Sequence, residues 1–187
     1  MKYILSTRFG PAIALVAVVW IIEIANLFMG HYLSLFGILP RTVQGLIGIP
    51  FAPFLHVGPI HAALNTVPLL ILGSFVSLRG VRTYLAVSAM VVFLSGSAVW
   101  LLGRSSYHLG ASALVFGYFG FLVARGWYER GFLSLAVAAI TILLYGGIII
   151  WGILPVRSYI SWEGHLFGLI AGIVAARILS RRYGRER

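Results

Sequence analysis

Tyr107-His108-Leu109-Gly110-Ala111-Ser112-Ala113-Leu114-Val115-Phe116-Gly117 sets a serine among small residues, about a turn inside what reads as a membrane-spanning helix. Two other stretches answer it. One is His56-Val57-Gly58-Pro59-Ile60-His61-Ala62-Ala63-Leu64-Asn65, the other Trp162-Glu163-Gly164-His165-Leu166-Phe167-Gly168. Polar side chains are expensive inside hydrocarbon, so three such intrusions in one small chain ask for a common reason.

The surrounding sequence decides the fold class. Hydrophobic residues make up 60% of the chain and charged ones only 10%, with a mean hydropathy of +1.00. A soluble domain carries about a quarter charged residues. Apolar runs recur at lengths near the roughly 20 residues that span a bilayer. The expectation is an all-α polytopic membrane protein, with residues 1–187 forming one domain of six spans, near 11–36, 59–78, 81–102, 108–124, 131–150 and 160–179. The first apolar run is too long, and lacks the small-residue cleavage site, for a removed signal peptide. Residues 37–55 are mostly apolar but interrupted by Pro40, Gly45, Gly48, Pro50 and Pro53. They read as a structured loop lying at the interface, with Arg41 at headgroup level.

Basic residues set the orientation. With the N-terminus in the cytoplasm, only Arg41, Arg104 and Arg157 of the 14 Lys and Arg residues fall outside. Both termini are then cytoplasmic, as expected for a multi-pass protein of a prokaryotic plasma membrane. The net charge of +10 thus reflects membrane orientation, not nucleic-acid binding, because the charges lie at helix ends and form no single patch. The tail from Arg181 to Arg187 is expected to touch anionic headgroups. In this orientation the second, fourth and sixth spans enter from outside. His61, Ser112 and His165, each within the first two turns, reach a similar depth.

The chain has no Cys and no Asp; its acids are Glu23, Glu129, Glu163 and Glu186. A cysteine nucleophile, a thiolate metal site and a Ser-His-Asp triad are therefore excluded. A serine hydroxyl needs a base, and His61 and His165 reach the right depth. Gly164, Gly168 and Gly172 form a stripe beside His165, and Gly110, Gly117 and Gly120 offer a match on the fourth span. Close helix packing would bring His165 to Ser112. His61, the Asn65 amide and the Ser112 backbone N–H can serve a developing oxyanion. Glu163 lies two residues from His165 and points elsewhere on a helix, so a dyad is the simpler reading. Three neutral histidines without a nearby carboxylate or thiolate do not resemble a common catalytic metal site.

Each residue also has a structural reading. Ser112 alone could be a packing residue or a local hydrogen bonder, and Asn65 could join helices. His56 and His108 read as structural or solvated. Glu23 and Asn26, three apart, read as a buried polar pair anchoring helix contacts in preference to an ion relay.

Taken together, the motifs resemble those of the rhomboid intramembrane serine proteases, across essentially the whole chain. His56-x4-His61-x3-Asn65 is similar to the family's second-helix pattern, Gly110-Ala111-Ser112 to its Gly-x-Ser-Gly motif, and Gly164-His165-x2-Gly168-x3-Gly172 to its last helix. The resemblance implies a six-helix bundle with a Ser112–His165 dyad, and oxyanion stabilisation by His61, Asn65 and the Ser112 backbone. It also implies an aromatic, Phe116, beneath the catalytic histidine, and single-span transmembrane proteins as substrates, with no cofactor. Two departures stand out. Ala113 replaces the motif's second glycine, and Leu39-Pro40-Arg41-Thr42 stands where many members have a Trp-Arg pair, with Arg41 a candidate for its anchoring role. The leading expectation is a serine endopeptidase. The alternative is a catalytically weak or silent relative that binds membrane-protein clients, though such a protein would be expected to lose Ser112 or His165. A transporter or channel would spread polar residues through the full membrane depth.

Overall fold

The computed structural model describes residues 2–156 and 161–185. Arg157 and Arg187, two of the basic residues weighed for orientation, and the Ile160 start expected for the last span lie outside the described residues. The chain folds as α1 (Lys2–Phe28), a 3-10 turn (Tyr32–Phe36), α2 (Val43–Phe51), a second 3-10 turn (Ala52–Phe54), α3 (Pro59–Ser77), α4 (Val81–Leu102), α5 (Ser112–Glu129), α6 (Phe132–Gly152) and α7 (Trp162–Arg185). No strand occurs among the described residues, only an isolated bridge between Ile38 and His108.

Five helices among the described residues are long and apolar enough to cross a membrane: Phe9–Phe28 of α1, α3, α4, α6 and Trp162–Ser180 of α7. Their hydropathy runs opposite to their burial. Helix α6 is the most apolar, with a mean of 2.4, yet only 22% of it is buried, whereas α7 averages 1.3 with 44% buried. A water-soluble core would show the reverse trend. Here the apolar surface faces outward and the small and polar residues face inward, as expected of a polytopic membrane bundle.

Helix α5, the expected fourth span, has 18 residues and carries Arg125 and Glu129 in its last turns. It is less apolar than the others because it answers to neighbouring helices and little to lipid. Every residue from Leu114 to Leu122 is buried. Helix α7 lies along it at backbone contact. A Cβ on Gly172 would overlap the Gly117 carbonyl, one on Gly168 the Ala113 carbonyl, and one on Gly120 would stand 2.5 Å from the Leu169 carbonyl. Gly164, the outermost glycine of the expected stripe, instead faces Ser161.

At the far end from Ser112, Glu129 gathers three partners. Arg125 donates to it through Nε at 2.8 Å, Arg79 through Nη2 at 2.6 Å, and Ser134 through its hydroxyl at 2.6 Å. This knot ties the α3–α4 turn to the end of α5 and the start of α6.

Two element boundaries differ from the expectation. Helix α1 stops at Phe28, not near Phe36. Gly30 and His31 adopt left-handed backbone with φ of 60° and 64°, and the His31 N–H caps the Asn26 carbonyl at 2.8 Å, a Schellman-type ending. The loop 37–55 contains α2, capped by the Thr42 hydroxyl, which accepts from the Gly45 N–H at 3.0 Å. Gly45 and Gly48 read as helix breakers, but α2 is pressed so closely on the Leu39 and Gly37 carbonyls that a Cβ at either position would collide.

Asn26 holds this loop to α1. It is fully buried, donates to the Ser34 hydroxyl at 3.0 Å and the His56 carbonyl at 3.2 Å, and accepts from the Leu33 N–H at 2.9 Å. Glu23 is also buried; its carboxylate makes no hydrogen bond of good geometry among the described residues, but it lies within reach of the Asn26 amide and the His31 ring.

The contrast between two glycines tests this packing. Gly172→Ala forces α5 and α7 apart and is expected to lower stability by about 1–3 kcal/mol, the usual penalty of overpacking. A methyl at Gly147 would meet no atom within 4 Å, so Gly147→Ala should raise stability by about 0.5–1 kcal/mol through the unfolded chain and helix propensity. Thermal unfolding in detergent measures both. A Gly172→Ala protein as stable as the wild type would mean that backbone contact is not what joins these helices.

Candidate active site

Ser112 is the first residue of α5, not a residue one turn inside a helix beginning at 108. The preceding residues are extended because His108 exchanges two backbone hydrogen bonds with Ile38, at 2.8 and 2.9 Å. Gly110 then turns the chain with φ of +121°, a conformation that strongly favours glycine. The Ser112 N–H is therefore among the first N–H groups of a helix, which have no intrahelical partner and sit at the positive end of its dipole. That position suits an oxyanion better than the expected one.

Three neighbours pin this turn. The Ala52 carbonyl accepts from the Gly110 N–H at 2.9 Å, the Ile38 backbone holds His108, and His56 Nε2 accepts from the Ala111 N–H at 3.3 Å. His56 is fully buried, and burial together with the neighbouring His61 ring pushes its pKa down to about 4. It is thus held neutral, with the Nε2 lone pair on the backbone of the residue before Ser112. His108 is also structural. A carbonyl only accepts, so the Nε2–H of His108 donates to the Arg104 carbonyl at 3.0 Å. Its Nδ1 then accepts from the Ser161 hydroxyl at 2.6 Å, and Ser161 Oγ accepts from the Gly164 N–H at 3.3 Å. This relay fastens the start of α7 to the serine turn.

His61 and Asn65 project from the first two turns of α3, which begins at Pro59 as the sequence suggests. The His61 ring lies against Gly110, where a Cβ would stand 2.7 Å from Cε1, and packs edge-on to His56 at 4.9 Å. Asn65 is buried and commits one amide hydrogen to the His61 carbonyl at 3.0 Å. The second amide hydrogen has no partner among the described residues.

His165, 9% exposed, stacks on Phe116 with ring centroids 4.1 Å apart and planes 11° from parallel. Phe116 follows Ser112 by four residues, so the imidazole lies over the face of α5 that carries the serine, about one turn away. Gly168 brings the backbones of α7 and α5 together at Ala113. No hydrogen bond joins Ser112 to His165 among the described residues. His165 Nδ1 is bonded to the Gly152 carbonyl at 2.8 Å. Glu163 pairs with Arg104 at 3.2 Å and makes no hydrogen bond to the histidine among the described residues. A small cleft bordered by Pro53, Ser161, Gly164 and Ala113 reaches Ser112.

A family model, the rhomboid domain, matches residues 43–182, which include all of these side chains. The chain belongs to the rhomboid family. Uncharacterized proteins of Mycobacterium tuberculosis and Mycobacterium bovis are each 36% identical to it over 174 residues, covering 88% of this chain and 72% of theirs. One of Mycobacterium leprae is 38% identical over 173 residues, covering 88% of this chain and 68% of its own.

This rhomboid uses Arg41 as a loop fastener. Its guanidinium donates to the Gly103 carbonyl at 2.8 Å and the Ser105 hydroxyl at 2.9 Å, while the Trp100 indole donates to the Thr42 carbonyl at 2.7 Å. Ala113 presents its backbone to Gly168. The structural readings of His56 and His108 hold. Sequence reasoning passed over Ser161 and Gly152, neither of which carried a signal.

The low pKa of His56 has a consequence for stability. The unfolded histidine titrates near 6.5, so below that pH the unfolded chain gains a proton the folded one refuses. Stability is lost as pH falls from about 6.5 toward 4, by about 2 kcal/mol at pH 5. His56→Ala is expected to be less stable at about pH 7.5, but to lose less on acidification to about pH 5. Equal acid sensitivity of variant and wild type in thermal unfolding would contradict this role.

Proposed function

We propose that this rhomboid is an intramembrane serine endopeptidase that hydrolyses single-span transmembrane proteins in or near the membrane. The observation that supports the reading is the His165 ring stacked on Phe116, one helical turn from Ser112 at the free N-terminus of α5. In this reading α5 is a sixth crossing and both termini are cytoplasmic, in the plasma membrane of a prokaryote. The site then opens near the outer surface, where water is within reach.

The chemistry follows from the groups present. Ser112 Oγ attacks the scissile carbonyl carbon as its proton passes to His165 Nε2, and the carbonyl π electrons move onto oxygen. The resulting oxyanion is met by the Ser112 N–H, by His61 and by the second amide hydrogen of Asn65. Collapse expels the amine, which takes the proton from His165, leaving an acyl-enzyme. Water then repeats the sequence, giving its proton to His165 and releasing the carboxylic acid and free Ser112.

The test is cleavage of a single-span substrate in liposomes. Ser112→Ala and His165→Ala are each expected to lower kcat by on the order of 10³-fold or more, with the double variant hardly worse because the two act as a unit. Asn65→Ala should lose on the order of 10²–10³ in rate. Its unfolding midpoint should hold, because the bond Asn65 makes is to the His61 carbonyl of its own helix, and one such bond contributes only about 1 kcal/mol. Turnover by Ser112→Ala near the wild-type rate would overturn the mechanism. Loss of stability in step with activity in Asn65→Ala would make that residue structural.

A further inference from the structure

We infer that the main-chain carbonyl of Gly152 is a positioning group for catalysis, occupying the place that an acidic side chain takes in a triad. The inference rests on the reading of Ser112 and His165 as nucleophile and base.

The tautomer follows from donor and acceptor chemistry. A carbonyl oxygen can only accept, so the 2.8 Å contact between Gly152 O and His165 Nδ1 requires the proton of the neutral ring to be on Nδ1. Nε2 is then left with a free lone pair, the form a general base needs. The opposite tautomer would break this bond and present an N–H to the serine.

No carboxylate bonds to His165 Nδ1 among the described residues. The chain has no Asp, and Glu163, the one carboxylate near His165 in sequence, is paired with Arg104. The Gly152 carbonyl can substitute because of where it lies. It belongs to the last residue of α6, and the final four carbonyls of a helix lack intrahelical partners and carry the negative end of the helix dipole. A ring that gains a proton from Ser112 therefore meets partial negative charge without an ionised side chain in the membrane.

Glycine is needed for this approach. A Cβ on residue 152 would overlap Phe116 Cζ and stand 3.0 Å from Cε1 and 3.3 Å from His165 Nδ1. Any larger residue would push the end of α6 off the stacked rings and lengthen the bond. The base is thus set by three helices: α7 carries it, α5 supplies the ring beneath it, and α6 selects its tautomer.

Two measurements test the inference. The first is nitrogen NMR of ¹⁵N-histidine-labelled protein in micelles at about pH 8, with the His165 signals identified by their loss in His165→Gln. The expected result is a protonated Nδ1 and a bare Nε2, and a shift toward a mixture of tautomers in Gly152→Ala. A wild-type His165 protonated on Nε2 overturns the inference, and this readout needs no turnover.

The second replaces the amide joining Gly152 and Ile153 by an ester, which weakens the Gly152 carbonyl as an acceptor without adding atoms. It is expected to lower kcat about 10-fold, roughly the worth of one hydrogen bond, with KM within about twofold. An ester between Trp151 and Gly152, which also removes one helix N–H, serves as the control and should cleave near the wild-type rate. Equal effects of the two esters, or none from the first, overturn the positioning role. Failure of the dyad itself would appear separately, as cleavage by Ser112→Ala.

Discussion

The contact on which the structure depends is that of α5 with α7, backbone against backbone. Three glycines permit it: Gly168 on Ala113, Gly172 on Gly117, and Gly120 on Leu169. In lipid, helices gain little from burying apolar surface, since the tails are as apolar as the side chains, and dispersion between close backbones takes over. The consequence for the site is direct. Only at this separation can a histidine on α7 lie flat on an aromatic ring of α5, and only on the stretch of α5 that begins with Ser112. A methyl at Gly168 would move His165 and its neighbours outward together.

Around that pair, the polar groups serve chiefly to hold the serine turn. His56, Ala52 and Ile38 fix Gly110 and Ala111, and the Arg104–His108–Ser161–Gly164 relay ties that turn to α7. Each polar group there has a partner, which is what a bundle with an apolar exterior requires. The loop 37–55, far from being a passive cover, supplies two of the contacts. Asn26 and Arg41 fasten it at opposite ends. Preorganisation of this kind is what makes fixed N–H donors effective toward an oxyanion, because no reorganisation is then needed as charge develops.

Much of this was legible in the sequence because the membrane imposes a simple code. Long apolar runs separated by basic turns marked the helices, and α3 and α4 begin where Pro59 and Val81 suggested. Equal depth suggested a shared place for His61, Ser112 and His165; the structure sets His61 against Gly110 and His165 on Phe116. The spacing of small residues announced the α5–α7 contact. What could not be read was anything set by tertiary contact. Gly30 ended α1 early, and Gly45 and Gly48 looked like breakers when they are points of close approach. Ser112 moved to the first helical position because Ile38, from a distant loop, holds His108 extended. Gly152 had no signal at all, since its role belongs to a backbone atom. Asn26, read as half of a polar pair with Glu23, also fastens the loop, through bonds that no spacing announced.

The central claim is that Ser112 is the reactive nucleophile and His165 its base. The most direct measurement is covalent reaction of the intact protein with a fluorophosphonate, followed by mass mapping of the adduct. The account predicts one adduct, on Ser112, formed far more slowly in His165→Ala. An adduct on another serine, or equal reaction in the histidine variant, would contradict it.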